Sequence, residues 1–147
     1  MLSIDTNLLF HAYNQSSPVH RPAHDWVASI PPRQEVVISE FVLAELYRLL
    51  RNPTVLTHPL SASDAVGVVQ AYRQHPRWRL VGFAADSRQL HDELWDLAAD
   101  RSFACRRLYD VRNALTLEAH GVTELATTNV GDFEGLGFER VWNPLEA

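Results

Sequence analysis

Lysine is missing altogether: all 13 basic residues among the 147 are arginine. Arginine's planar fork suits two-point contacts with phosphate, but a GC-rich coding bias produces the same composition, so the feature alone assigns no ligand. The single cysteine, Cys105, excludes an internal disulfide and reads as a small buried hydrophobe in a reducing compartment. No apolar run approaches the roughly 20 residues of a membrane span, and the N-terminus lacks the basic flank and cleavage site of a signal peptide. A soluble, cytoplasmic protein is expected. Neither a glycine-rich phosphate loop nor a G-x-S-x-G turn occurs, which removes the commonest nucleotide-binding and serine-hydrolase chemistries. There is no internal repeat or low-complexity linker, so residues 1–147 are expected to form one domain.

What is present is enough apolar material for a core: 46% of the residues are hydrophobic, sufficient at this length without metal or disulfide support. The net charge of −5 argues against a broad basic face for nucleic acid. A local exception surrounds Asp110, where Arg101, Arg106, Arg107 and Arg112 cluster. They can grip a polyanion, or simply pair on the surface with Asp96 and Asp100.

Short β-rich runs alternate with helical patterns, which predicts α/β organisation with a mainly parallel sheet. Strands are expected near Leu2–Ile4, Val36–Ile38, Leu80–Phe83, Leu125–Thr127 and Arg140–Trp142. Helices are expected over Leu8–Tyr13, His20–Ile30, Glu40–Arg51, Ser63–His75, Arg88–Ala104 and Val111–His120. Ser39 is placed to cap the third helix, Asn52-Pro53 stops it, and Gly121 supplies the left-handed residue after the sixth.

Four acids fall where strands give way to helices or on a helix stripe. Asp5 ends the apolar opening Leu2-Ser3-Ile4, at the strand edge where open α/β sheets place their chemistry. Thr6, Asn7 or Asp5 itself can cap the following helix. Glu45 shares its face with Phe41, Val42 and Leu49, a stripe expected to point inward; an outward i,i+3 pair with Arg48 is the equal alternative. Asp110 starts a helix, where capping alone accounts for an aspartate, yet it lies in line with Ala114 and Leu117. Asp132 follows the fourth strand, in a position that an Asx turn also explains. Gathered at one sheet edge, such acids repel by roughly 4 kcal/mol per pair at 4 Å and an effective dielectric near 20. A hard dication removes that penalty, and an all-oxygen donor set suits Mg²⁺ or Mn²⁺.

Competing signals are weaker. Asp92, Glu93, Asp96 and Asp100, on the helix that contains Leu90, Leu94 and Leu97, follow a spacing that fits a solvated face. His20 and His24 have the i,i+4 spacing of zinc helices, but no third ligand accompanies them.

The four acids stand in the runs Ile4-Asp5-Thr6-Asn7, Ser39-Glu40-Phe41-Val42-Leu43-Ala44-Glu45-Leu46, Tyr109-Asp110-Val111-Arg112-Asn113-Ala114 and Thr127-Thr128-Asn129-Val130-Gly131-Asp132-Phe133. In order and spacing these resemble, over essentially the whole chain, the PIN-domain ribonucleases and among them the VapC-type toxins of bacterial toxin–antitoxin systems. The resemblance implies a three-layer αβα domain with a central, mainly parallel sheet of about five strands. It also implies Mg²⁺- or Mn²⁺-dependent endonuclease activity on RNA, a homodimer, and inhibition by a cognate antitoxin protein. By the same resemblance Asp5 and Asp110 match metal ligands, Glu45 the acid of the third helix, and Asp132 the fourth position. Many relatives carry aspartate where this chain has Asn129, so either Asp132 takes over or a second metal binds weakly; Asp132 is the choice made here. Thr6 and Thr127 are available to orient water or phosphate, or to serve as a cap and a strand-end hydroxyl.

Two other functions compete. One is a binding module that uses this fold to hold RNA or protein without cutting, which fits Asn129 and the acidic charge. The other is an aspartate-nucleophile phosphotransferase; it commonly has a second aspartate two residues after the first and a downstream lysine, whereas this chain has Asn7 and no lysine.

Overall fold

The computed structural model describes residues 1–146. Along the chain come β1 (Leu2–Ile4), α1 (Thr6–Tyr13), α2 (His20–Ser29), β2 (Val36–Ser39), α3 (Glu40–Leu50), α4 (Ala62–Arg73), β3 (Trp78–Val81), α5 (Ser87–Ala98), a 3-10 turn (Cys105–Arg107), α6 (Leu108–Ala119), β4 (Glu124–Ala126), α7 (Val130–Phe133) and β5 (Arg140–Trp142). The five strands form one sheet in the order β3-β2-β1-β4-β5. Every pairing is parallel.

Alternation along the strands distributes the core over two faces. Val36 and Ile38 point into a cluster with Leu8, Leu9, Val42, Leu43, Leu46 and Leu50 from α1 and α3. Val37 and Leu125 point the other way, against Ala114 and Leu117 of α6 and Phe133 of α7. Leu90 and Leu94 of α5 then pack on Val111 and Leu115 of α6. Helices on both faces of a parallel sheet make the expected αβα layering. Most of these side chains are fully buried, each stabilising the fold by about 1.5–3 kcal/mol relative to exposure.

Local chemistry sets the ends of the elements. The Oγ of Ser39 accepts from the Val42 backbone N–H at 3.1 Å and starts α3, as the sequence predicts. Gly121 follows α6 with φ +89°, which spares α6 the steric cost a side chain would bring there. Two helices differ from expectation. α5 stops at Ala98 rather than Ala104, because Asp100 turns the chain by accepting from the N–H and hydroxyl of Ser102 at 2.8 and 2.6 Å. α6 begins at Leu108, three residues early, and the short helix α7 was not foreseen.

Several side-chain expectations also change. Cys105 is exposed rather than buried, since it sits on the 3-10 turn outside all three core clusters. On α5 and just past its end, Asp92, Glu93, Asp96 and Asp100 form the exposed face that their spacing predicts, and Leu97 beside them is 40% exposed. No helix of the described residues is long and apolar enough to cross a membrane.

Candidate metal centre

Strand order places the site. The chain runs from β1 outward through β2 to β3, then returns to the other side of β1 with β4 and β5. Between β1 and β4 the connections diverge, and a crevice opens beyond the carboxyl ends of the strands. Asp5 follows β1 there and Thr127 follows β4. The Asp5 backbone N–H donates to the Ala126 carbonyl at 2.9 Å, holding the two strand ends together.

Asp5 is 6% exposed. Its Oδ1 accepts from the Thr6 N–H at 2.8 Å, capping α1, and its Oδ2 accepts from the Thr127 hydroxyl at 2.7 Å. Burial raises its pKa from 3.8 to about 6; the two hydrogen bonds oppose the rise, and the charges of Asp110 and Glu45 add to it. The strand-end hydroxyl of Thr127 is thus a direct partner of the central carboxylate.

Asp110 lies in the first turn of α6. The N-cap of that helix is Arg107, so the capping explanation for Asp110 fails. It remains half-buried, and burial first, then the charges of Glu45 and Asp132, push its pKa from 3.8 to about 6. Arg106 and Arg107 pull in the opposite direction without cancelling that rise.

Glu45 corrects the sequence expectation of a buried carboxylate. It is exposed, because the inward stripe of α3 is carried by Val42, Leu43, Leu46 and Leu50 and leaves Glu45 at its margin. Among the described residues it forms no ion pair with Arg48. Instead its Oε2 accepts from the Thr6 hydroxyl at 3.0 Å, which draws it to the start of α1 beside Asp5.

Asp132 is in α7, with both carboxylate oxygens 3.3 Å from Nη1 of Arg106. Arg107 donates to the Asp132 carbonyl at 2.8 Å. Asn129 occupies the N-cap position of α7 without making a side-chain cap bond, and it is exposed. The arginine cluster therefore divides: Arg106 and Arg107 hold α7, while among the described residues Asp96 and Asp100 pair with no arginine.

Asp5, Glu45 and Asp110 feel one another's charge, and Asp132 joins through Asp110. Glu45 and Asp110 line one cleft of about 310 Å³ with Arg48, Arg106, Tyr109 and Arg112. Among the described residues no three or more His, Cys, Asp or Glu side chains are gathered closely enough to hold a metal ion on their own; that holds for these acids and for His20 and His24. The donors are all oxygen, and Asp5 and Asp110 have pKa values raised to about 6 by burial and by neighbouring negative charge; that chemistry suits a hard cation that keeps most of its waters. Divalent-metal dependence is general among PIN-domain ribonucleases of the VapC kind.

Sequence reading missed Asn113. It is buried, and its Oδ1 accepts from the Ser39 hydroxyl at 2.6 Å, fastening α6 to the end of β2. An amide one turn after Asp110 on the inward side of a helix was the available signal.

Comparisons with known proteins agree with this architecture. The PIN domain family model matches residues 2–137. Ribonuclease VapC24 of Mycobacterium tuberculosis is 46% identical over 99% of this chain and 97% of its own length. Two crystal structures share the fold at lower identity. VapC20 of Mycobacterium tuberculosis, described as a sarcin-ricin loop cleaving toxin, has 22% identity, TM-score 0.69 and coverage of 94% of this chain and 96% of its own. FitAcB from Neisseria gonorrhoeae has 20% identity, TM-score 0.68 and full coverage of both chains. The motifs, the parallel sheet with its acidic crevice and the 46% identity agree: this chain belongs to the PIN-domain family, among its VapC ribonucleases.

Proposed function

We propose that this protein is a metal-dependent endoribonuclease that acts as the toxin of a type II toxin–antitoxin pair. The observation that carries the reading is the buried Asp5 in the β1–β4 crevice, its pKa raised to about 6, with the charges of Asp110 and Glu45 acting on it. The ribonuclease name of the 46% identical relative supports the same activity. Asp5, Glu45, Asp110 and Asp132 are assigned to hold Mg²⁺, with Mn²⁺ as a substitute. The cation supplies counter-charge and Lewis acidity for cleavage of a phosphodiester bond.

The chain's own residues prepare that chemistry. Thr127 and the Thr6 N–H fix the rotamer of Asp5, and the Thr6 hydroxyl holds Glu45 beside it. Burial and the charges of Glu45 and Asp132 raise the Asp110 pKa to about 6, a repulsion that a bound cation would relieve. Arg106 restrains Asp132 at the rim.

The relationship to toxin–antitoxin structures, among them one from Klebsiella pneumoniae, supports a cognate antitoxin as protein partner. We assign the active form as a cytoplasmic homodimer in which residues 1–147 act as one domain. Incubating purified protein with RNA and Mg²⁺ tests the activity. Cleavage is expected to fall at least about 100-fold in Asp5→Asn, and undiminished cleavage by that variant overturns the assignment.

One observation favours a second reading, a non-catalytic module that binds RNA or protein. Asp132 is already paired with Arg106, and the nearby exposed position is Asn129 rather than an acid. Calorimetry with Mn²⁺ separates the two. Micromolar binding abolished by Asp110→Ala supports the enzyme, and absence of binding supports the module.

A further inference from the structure

Beside the acids lies a row of planar groups that the proposed metal chemistry does not use. The Phe83 ring, just past the end of β3, meets the Phe41 ring of α3 edge-on with centroids 5.1 Å apart. The Arg112 guanidinium lies 4.5 Å from the centroid of Phe41 and 5.3 Å from that of Tyr109. The result is a continuous sequence of Phe83, Phe41, Arg112 and Tyr109 that leads from the end of β3 into the cleft. Phe41, Arg112 and Tyr109 line the same cleft as Glu45 and Asp110.

Two features distinguish this row from ordinary packing. Its ends are open: Phe83 is 63% exposed and Tyr109 68% exposed, among the most exposed large hydrophobic side chains described. Its cation is unspent: among the described residues Arg112 forms no ion pair and its Nε has no hydrogen-bond partner. Arg106 and Arg107, by contrast, are engaged with α7. Two aromatic faces hold the Arg112 guanidinium in place while leaving its charge uncompensated.

Exposed rings alternating with an unpaired cation beside an acidic catalytic edge suit one kind of ligand, a nucleic-acid strand whose bases are free to stack. Bases in a duplex present their faces only to one another, so a stacking surface selects for unpaired nucleotides. Arg48, on the same cleft, extends the positive charge that a phosphate backbone requires in a protein of net charge −5.

We infer that Phe83 and Tyr109, with Arg112 held between Phe41 and Tyr109, form a rail on which unpaired bases of the substrate RNA stack, positioning the strand beside the acids. This rests on the ribonuclease reading for the identity of the ligand as RNA. The rail determines specificity; the acids carry the cleavage.

The test reads binding apart from cutting. In an Asp5→Asn background, which leaves the RNA intact, a fluorescent single-stranded oligoribonucleotide and a duplex of the same sequence are titrated by anisotropy in Mg²⁺. The single strand is expected to bind at least about 10-fold more tightly than the duplex, and Tyr109→Ala and Phe83→Ala each to weaken it about 10-fold. Tyr109→Phe keeps the ring and is expected to retain the affinity, and all variants are expected to melt within about 2 °C of their parent because both side chains are exposed. Equal affinity for duplex and single strand, or unchanged binding by the Phe83→Ala Tyr109→Ala double variant, overturns the rail; the latter result assigns the exposed rings to a protein partner. A wild-type protein that shows the predicted binding pattern but never cuts supports the rail while defeating the nuclease reading.

Discussion

The Thr127 hydroxyl donates to the Asp5 carboxylate at 2.7 Å, joining residues 122 positions apart at adjacent strand ends. This bond favours the ionised form of Asp5 against the burial that disfavours it. Thr127→Val, nearly the same shape without the hydroxyl, is expected to move the Asp5 pKa further upward. In a pH profile of RNA cleavage, the acid limb of the variant shifts to higher pH, and the loss of rate is several-fold greater at pH 6 than at pH 8.5. Parallel profiles for the two proteins would show that Thr127 has no hold on the ionisation of Asp5.

Asp5 also links function to stability. Its folded pKa of about 6 lies above the ordinary 3.8, so the native state holds its proton more tightly than the unfolded chain does. The resulting stability is fully present below about pH 4 and is lost as pH rises through about 6. In metal-free protein the cost at pH 7.5 is on the order of 2–3 kcal/mol. Asp5→Asn, which can still cap α1, is therefore expected to melt several degrees higher than wild type at pH 7.5 in a chelator, with the advantage disappearing at pH 4. Adding Mn²⁺ at pH 7.5 is expected to raise the melting temperature of wild type and not of the variant.

Away from the crevice, Glu118 of α6 is driven up to about 7 by burial, with Glu93 adding to the shift. One of its oxygens, Oε1, is buried without a partner. A raised folded pKa again means stability present at low pH and lost as pH passes about 7. Glu118→Gln is expected to leave the melting temperature unchanged at pH 5 and raise it at pH 8.5. Its carboxylate is partly solvated, so the gain is smaller than that from Asp5→Asn.

Ser39 serves two partners at once. Its Oγ accepts from the Val42 N–H at 3.1 Å and its hydroxyl donates to Asn113 Oδ1 at 2.6 Å. Ser39→Ala loses the cap and strands a buried amide oxygen, a cost of about 2–3 kcal/mol in urea unfolding. Asn113→Ala removes the amide and leaves the cap, so it is expected to cost less of α3 and more of the seating of α6. Comparing hydrogen exchange in the two helices distinguishes the variants.

The parallel sheet was legible because Leu2–Ile4 and Val36–Ile38 are short apolar runs separated by helical periodicity. Asp5 at a strand end and Asp110 and Asp132 in first helical turns stood out from apolar surroundings, and Glu45 stood out by sharing a stripe with Phe41, Val42 and Leu49. Burial was less legible. Glu45 sits on the edge of the α3 stripe, and one residue's rotation about a helix, about 100°, separates core from solvent. The end of α5 was misplaced because an aspartate-to-backbone turn at Asp100 outcompeted continued helix. The Thr127 bond and the Phe83–Phe41–Arg112–Tyr109 row unite residues remote in sequence, and nothing in local patterning encodes such meetings.

The first strand lies at the centre of the sheet, and its β4 neighbour arrives more than a hundred residues later. Asp5 is thus synthesised 122 residues before the threonine that orients it, and a chain interrupted between the two has no assembled crevice and is expected to leave RNA uncut.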